Sequence, residues 1–307
     1  MRLLLAGEAL VLAALALVAA DLYAHKRVET LGGLNVRGYR GPIAHQRQPN
    51  ELRFVFVGGT RAFGWGEPAS GTTVAAVRFE LSRVLDRPNT LLRPLVAINL
   101  GQIGAGPDDY AATLEHYASL QPDYIGIIDD LGDPGPNRPF DASGVFMVTG
   151  YRPMLPLVLQ EKGTLTRSRA IGASLVFAGN ALAALDRRLA RAAGARGGRP
   201  TVAYADAMLA AIDDAHRHAR GVVVALGPID TDAQRRNFDS LAARLAAADV
   251  ASGSSRTSSW LRIVDLSAQT DLYDPSLRLD GFSFGATATS IAAQAIAPAF
   301  LELISPR

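Results

Sequence analysis

Cysteine is absent from all 307 residues, which excludes thiol catalysis, disulfides and cysteine-ligated metals. Histidine is scarce: His25, His45, His116, His216 and His218 are the only five, and none lies beyond residue 218. A site built from the carboxyl-terminal third therefore has no imidazole of its own. Charge of one sign is also missing, because 31 Lys and Arg against 29 Asp and Glu leave a net charge of +2. The basic residues are scattered, with no finger spacing and no RNP-like aromatic stripe, so nucleic acid is excluded as a partner. No phosphate loop is present: "GGTRAFGWG" (58–66) lacks the Gly-x-Gly-x-x-Gly order and the Lys-Ser/Thr ending. His216-x-His218 is not the i, i+4 pair that a helix needs to hold a metal, and His116, His216 and His218 read as surface residues. No cofactor and no metal is implied.

What the chain does have is a long apolar run at its start. "LLLAGEALVLAALALVAADL", Leu3 to Leu22, carries Glu8 as its only charge before Asp21. About 20 apolar residues cross a bilayer as a helix, so residues 1–25 are expected to be a membrane anchor, contacting the lipid bilayer through residues 3–22. A secretory signal with "LVAAD" as its cleavage site is the competing reading. Arg2 before the run and His25, Lys26 and Arg27 after it nearly balance; the body is placed outside the cytoplasm, as a periplasmic domain. Residues 26–52 are rich in Gly, Arg and polar groups without a period, and are expected to form an extended tether.

From residue 53 to 307 strands and helices alternate. Short Val- and Ile-rich runs at 53–57, 95–99, 123–128, 222–226 and 261–265 are expected to be strands covered on both faces. Helical patterns occupy 72–86, 108–120, 231–248 and 286–303, the third opening with a Thr231-x-x-Gln234 capping box. This predicts an α/β fold: a three-layer α/β/α domain around a five-stranded parallel sheet of flavodoxin-like type. Residues 134–221 are long for one crossover and are expected to be an insertion over the top or side of the sheet, with helices near 170–192 and 201–220. Its apolar part, 145–160, is broken by Pro153 and Pro156 and so is not a second span; its role is to cover core or to meet a membrane or partner. Arg187, Arg188, Arg191, Arg196 and Arg199 form a basic run within it.

Four sequence blocks lie in order on this pattern. They are "VGGTRAFG", "INLGQIGAG", "PDYIGIIDDLGD" and "DPSLRLDGFSFGATATSIA", preceded by "LNVRGYRG". Together they resemble the SGNH (GDSL-type) hydrolases, particularly a membrane-anchored bacterial branch, over roughly residues 33–133 and 220–303. The resemblance implies a serine nucleophile, a histidine base, an aspartate three residues before it, and an oxyanion hole from a glycine and an asparagine. At those positions this chain has Thr60 for the serine, Ser283 for the histidine, Asp280 for the aspartate, Gly104 for the glycine and Gly132 for the asparagine. Three of the four name-giving residues have changed. Asp129, Asp130 and Asp133 are further carboxylates near the expected mouth, of the kind that cap helices or face water.

Removing a general base typically costs about 10²–10⁴ in rate, and removing one oxyanion donor about 10²–10³. The expectation is accordingly a catalytically degenerate, membrane-anchored protein. It would act as a structural subunit among membrane-protein partners, in an assembly such as a photosynthetic or respiratory complex. The alternative is an extracytoplasmic esterase or O-acyl hydrolase with Thr60 as a weak nucleophile. A third reading is a retained pocket that binds an acylated ligand without turnover.

Overall fold

The computed structural model of the protein describes residues 2–26, 33–85, 94–132, 143–145, 151, 153–192, 203–252, 259–279 and 282–304. Five strands, β1 (Leu52–Gly58), β2 (Leu95–Asn99), β3 (Tyr124–Asp129), β4 (Gly221–Leu226) and β5 (Leu261–Asp265), pair in the order β2-β1-β3-β4-β5. Every pairing is parallel. The five strands match the expected runs to within a residue or so at each end.

The period of two along a strand distributes its side chains between two cores. On β1, Phe54 and Phe56 enter one cluster with Val74, Val77 and Leu81 of α3 (Thr73–Leu85) and Phe300 of α9 (Ala286–Ile304). Val55 and Val57 enter the other, against Tyr110 and Leu114 of α4 (Pro107–His116), Met208 and Ile212 of α7 (Tyr204–His218), and Leu241 of α8 (Asp232–Ser252). These are the two outer layers of the α/β/α sandwich. Phe300 meets Phe54 and Phe56 edge to face, with ring centroids 5.2 and 5.5 Å apart. Gly126 on β3 makes room for them, since a Cβ there would stand 3.2 Å from Phe300 and inside the Phe56 ring.

Two expectations change. Residues 33–52 are not a free tether on the side nearest the sheet. Asn35 N–H donates to Tyr39 O at 2.8 Å, its side-chain amide to Gly41 O at 2.9 Å, and Arg40 N–H to Asn99 O at 3.0 Å. Leu34, Tyr39 and Arg40 are buried, because a turn that returns its own hydrogen bonds can lie against the edge strand β2 at little cost. The insertion is also shorter than 134–221. Helix α7 is the ordinary crossover from β3 to β4, packed on α4 and α8, because its apolar stripe faces the sheet. The extra material described is the hairpin of α5 (Leu155–Leu165) and α6 (Arg169–Ala192) with the segments leading into it. The stretch 134–142, most of 145–150, and Arg196 and Arg199 lie outside the described residues.

The first helix, α1 (Arg2–Lys26), contains one of two described segments, Gly7–His25, long and apolar enough to cross a membrane. The other is α9, a half-buried core helix. The carboxyl end of α1 docks on the body. The Asp21 carboxylate accepts the Met154 and Leu155 N–H groups at 2.8 and 2.5 Å and the Tyr151 hydroxyl. His25 Nδ1–H donates to Leu34 O at 2.7 Å.

Candidate active site

Strand β1 ends at Gly58, and Gly59 caps a single helical turn, α2 (Thr60–Phe63), that puts Thr60 at the carboxyl edge of the sheet. In open α/β sheets this edge is where ligands bind. Gly59 is required by crowding: a Cβ would stand 2.5 Å from Asp130 Oδ2 and 3.2 Å from Ala105 O. Gly104 lies in the loop after β2 with φ +69, a left-handed conformation suited to glycine. Its N–H donates to Thr60 Oγ1 at 3.3 Å. The structure thus brings together Thr60 and Gly104.

Gly132 is placed differently. Its missing side chain would point at Asn237 Nδ2, 2.8 Å away, and at the Tyr204 ring. The groups from β3 that stand beside the Thr60 turn are Asp129 and Asp130. Asp130 Oδ2 accepts the Arg61 N–H at 3.3 Å, and the Thr60 N–H also points to this carboxylate. Asp129, the last residue of β3, accepts the hydroxyls of Tyr110 and Tyr204, each at 2.5 Å, and the Leu131 N–H at 2.6 Å. Both carboxylates are buried, neither capping a surface helix nor facing water as expected. Burial, opposed by Arg61 and reinforced by the neighbouring Asp129, pushes Asp130 up from 3.8 to about 7. Burial also raises Asp129, against the hydrogen bonds it accepts from the two tyrosines. In its ionised form Asp130, bonded to the backbone of the turn, opposes a developing oxyanion there.

Arg61, the next residue after Thr60, is fully buried. Its Nη2 donates to Asp230 Oδ2 at 2.8 Å and its Nη1 to Pro228 O at 3.3 Å, while Nε lies 3.7 Å from Asp130 Oδ1. The guanidinium also lies over the rings of Phe282 and Phe284, 4.2 and 5.1 Å from their centroids. Those rings flank Ser283, the position where the resemblance implies a histidine. Arg278 Nη2 meets the other oxygen of Asp230 at 2.8 Å. A salt-bridged arginine, bound on several sides, therefore packs against the loop where a base is expected. Sequence reading missed it; an arginine immediately after the candidate nucleophile was the available signal. Asp280 and Asp133 lie outside the described residues.

The five imidazoles are all held elsewhere. His45 pairs with Glu51 at 2.9 Å below β1, His116 ends α4 edge-on to Tyr117, and His218 lies 3.9 Å from Asp214. His216 stacks on Trp260 at 3.7 Å, and His25 is buried at the docked end of α1. No cluster of three or more His, Asp or Glu side chains able to hold a metal occurs among the described residues.

A lid covers the turn. Phe63, Trp65 and Ile103 pack with Met154, Leu157 and Val158 at the start of α5 and with Ala24 of α1. Glu161 of α5 accepts the Gly66 N–H at 2.8 Å. Thr60 is left 2% exposed.

No family model and no curated protein matches the chain. Among solved structures it is similar to a lipase/acylhydrolase from Enterococcus faecalis, at 14% identity over 81% of this chain and 94% of that one, TM-score 0.40. It is similar to an acetylxylan esterase from Geobacillus stearothermophilus, at 14% identity over 83% and 95%, TM-score 0.42. It is also similar to an α/β hydrolase from the metagenome of Lake Arreo, Spain, at 18% identity over 82% and 94%, TM-score 0.39. The three-layer architecture rests on the parallel sheet itself.

Proposed function

We propose that this chain is a catalytically silent SGNH-type domain, anchored in a membrane by α1 with its body outside the cytoplasm, that serves as a structural subunit of a membrane assembly. The observation that carries the reading is the environment of Thr60: a buried hydroxyl that accepts the Gly104 N–H, with Asp130 bonded to the backbone of the turn and every imidazole engaged elsewhere. A hydroxyl without a positioned base is a poor nucleophile at neutral pH. The anchor reading draws support from the exposed Val11, Leu12, Leu15 and Val18 of α1.

A second reading, a weak ester hydrolase, draws on the Gly104 N–H beside Thr60 Oγ1. Hydrolysis of short-chain nitrophenyl esters and acetylated glycans by the detergent-solubilised full chain decides between them. The expected result is turnover at the buffer rate for the native chain and for Thr60→Ala alike. Turnover that Thr60→Ala abolishes would overturn the proposal. Gentle detergent extraction and native sizing test the subunit role, with co-migrating membrane proteins expected and a partner-free monomer counting against it.

A further inference from the structure

We propose that the α5–α6 hairpin is embedded in the same bilayer leaflet that the carboxyl half of α1 occupies, with a lipid acyl chain in the groove between α1 and α6. This rests on reading α1 as a membrane span. The groove encloses about 510 Å³, within the range of ligand-sized pockets. Leu17, Val18 and Leu22 of α1 form one wall, and Leu182, Leu185 and Leu189 of α6 the other. Its two acidic side chains are already engaged: Asp21 by the N–H groups of Met154 and Leu155, and Asp186 by the Val145 N–H at 3.0 Å. An occupant therefore meets hydrocarbon walls.

Depth follows from adjacency. Residues 17–22 are the last part of the apolar run, so the α6 residues across the groove stand at the same level in the membrane. The composition of α6 fits that level. "AIGASLVFAGNALAAL", Ala170 to Leu185, contains no charged residue. Its length of about 24 Å at 1.5 Å per residue falls short of the hydrocarbon thickness of roughly 30 Å, so the helix lies along the interface rather than across it. Phe177 is 76% exposed, and Ile171, Leu185 and Leu189 are exposed on the same side of the helix. Ser174, also exposed there, donates its hydroxyl to Ala170 O at 3.0 Å and adds no unmet polar group. The inner face is taken up by α5, where Gly163 and Gly172 bring the two backbones together. Past Leu185 and the engaged Asp186, Arg188 is exposed, placed to reach lipid phosphates while its stem stays in the apolar layer. A protein partner would also cover an apolar face; continuity with the span favours lipid.

The lack of cysteine makes the test clean. Leu12→Cys, Phe177→Cys, Leu185→Cys and Arg244→Cys variants of the full chain each take one environment-sensitive fluorophore. They are reconstituted in vesicles of phosphatidylcholine and phosphatidylglycerol containing lipids spin-labelled along the acyl chain. Labels at 12, 177 and 185 are expected to be quenched several-fold more than the label at 244, which stands on the exposed face of α8. Quenching at 12 but not at 177 and 185 would overturn the hairpin inference and leave the anchor standing. No quenching at 12 would overturn the anchor reading and this inference with it.

Discussion

Arg61 packs against the loop at which the resemblance implies a base. Its guanidinium sits over the two rings beside Ser283, bonded to Asp230 and close to Asp130. Taking the cation away would leave the buried Asp130 without its counter-charge, while Asp230, partly exposed, keeps Arg278; uncompensating a buried charge costs about 3–5 kcal/mol. Arg61→Ala is therefore expected to lower stability by that amount in denaturant unfolding, with Arg61→Lys retaining part of the loss. A change under about 1 kcal/mol, the value of an exposed pair, would show that the network is not holding the site. Asp130 makes a pH prediction. Its value in the folded chain is raised from 3.8 to about 7, so the folded state binds more protons than the unfolded one between those limits. The stability it contributes is full below about pH 4 and is lost as pH rises through about 7. Glu161, raised by burial to about 7 against the pull of Arg40, acts with the same sign. Unfolding measured from pH 4 to 8 should show falling stability, and Asp130→Asn should flatten the slope; a slope unchanged by that substitution would exclude Asp130 as its source.

At the level of elements, periodicity carried the reading of the sheet. Continuous Val and Ile runs bounded by turn residues have one low-energy arrangement when helices follow each of them, and the five strands appear where those runs lie. The Thr231–Gln234 box forms as expected, with the Gln234 N–H on Thr231 Oγ1 at 3.2 Å and the Thr231 N–H on Gln234 Oε1 at 3.0 Å. The strand-to-helix turn that carries Thr60 was likewise legible, because it is a local feature. Long-range contacts were not. Nothing in the sequence near 153–158 announces that Met154 and Leu157 close over Phe63 and Ile103, or that Asp130 rather than Gly132 stands beside Thr60. Asp21 is another such contact: a polar residue at the end of an apolar run, it caps α5 from 133 residues away in sequence. Losing a cap of this kind costs about 0.5–2 kcal/mol. Asp21→Ala should therefore speed hydrogen exchange at the amides of the first turn of α5 while leaving those of β3 unchanged. Equal rates in the first turn would mean that α5 holds its start without α1.

For the molecule as a whole, the question is whether α1 is only an anchor or also part of the folded body. The two main clusters draw on residues 39 to 304 and none on α1. The third cluster, which covers the Thr60 turn, includes Ala24, and the bond from His25 to Leu34 O ties α1 to the segment lying against β2. Deleting residues 1–26 should then leave a domain with native helix and strand content, since the sheet and both outer layers remain. It should unfold more easily by about 2–6 kcal/mol, from lost burial and the four hydrogen bonds that Asp21 and His25 make to the body. Removal of one wall of the groove would also bare Leu182, Leu185 and Leu189 of α6, so the truncated chain should self-associate in buffer and return to monomer in mild detergent. Circular dichroism, denaturant unfolding and sizing with and without detergent measure the three effects. Unaltered stability together with a monomer in plain buffer would reduce α1 to a loosely attached leash. Failure to fold at all would make the helix a constituent of the core, and the separation into anchor and domain would fall.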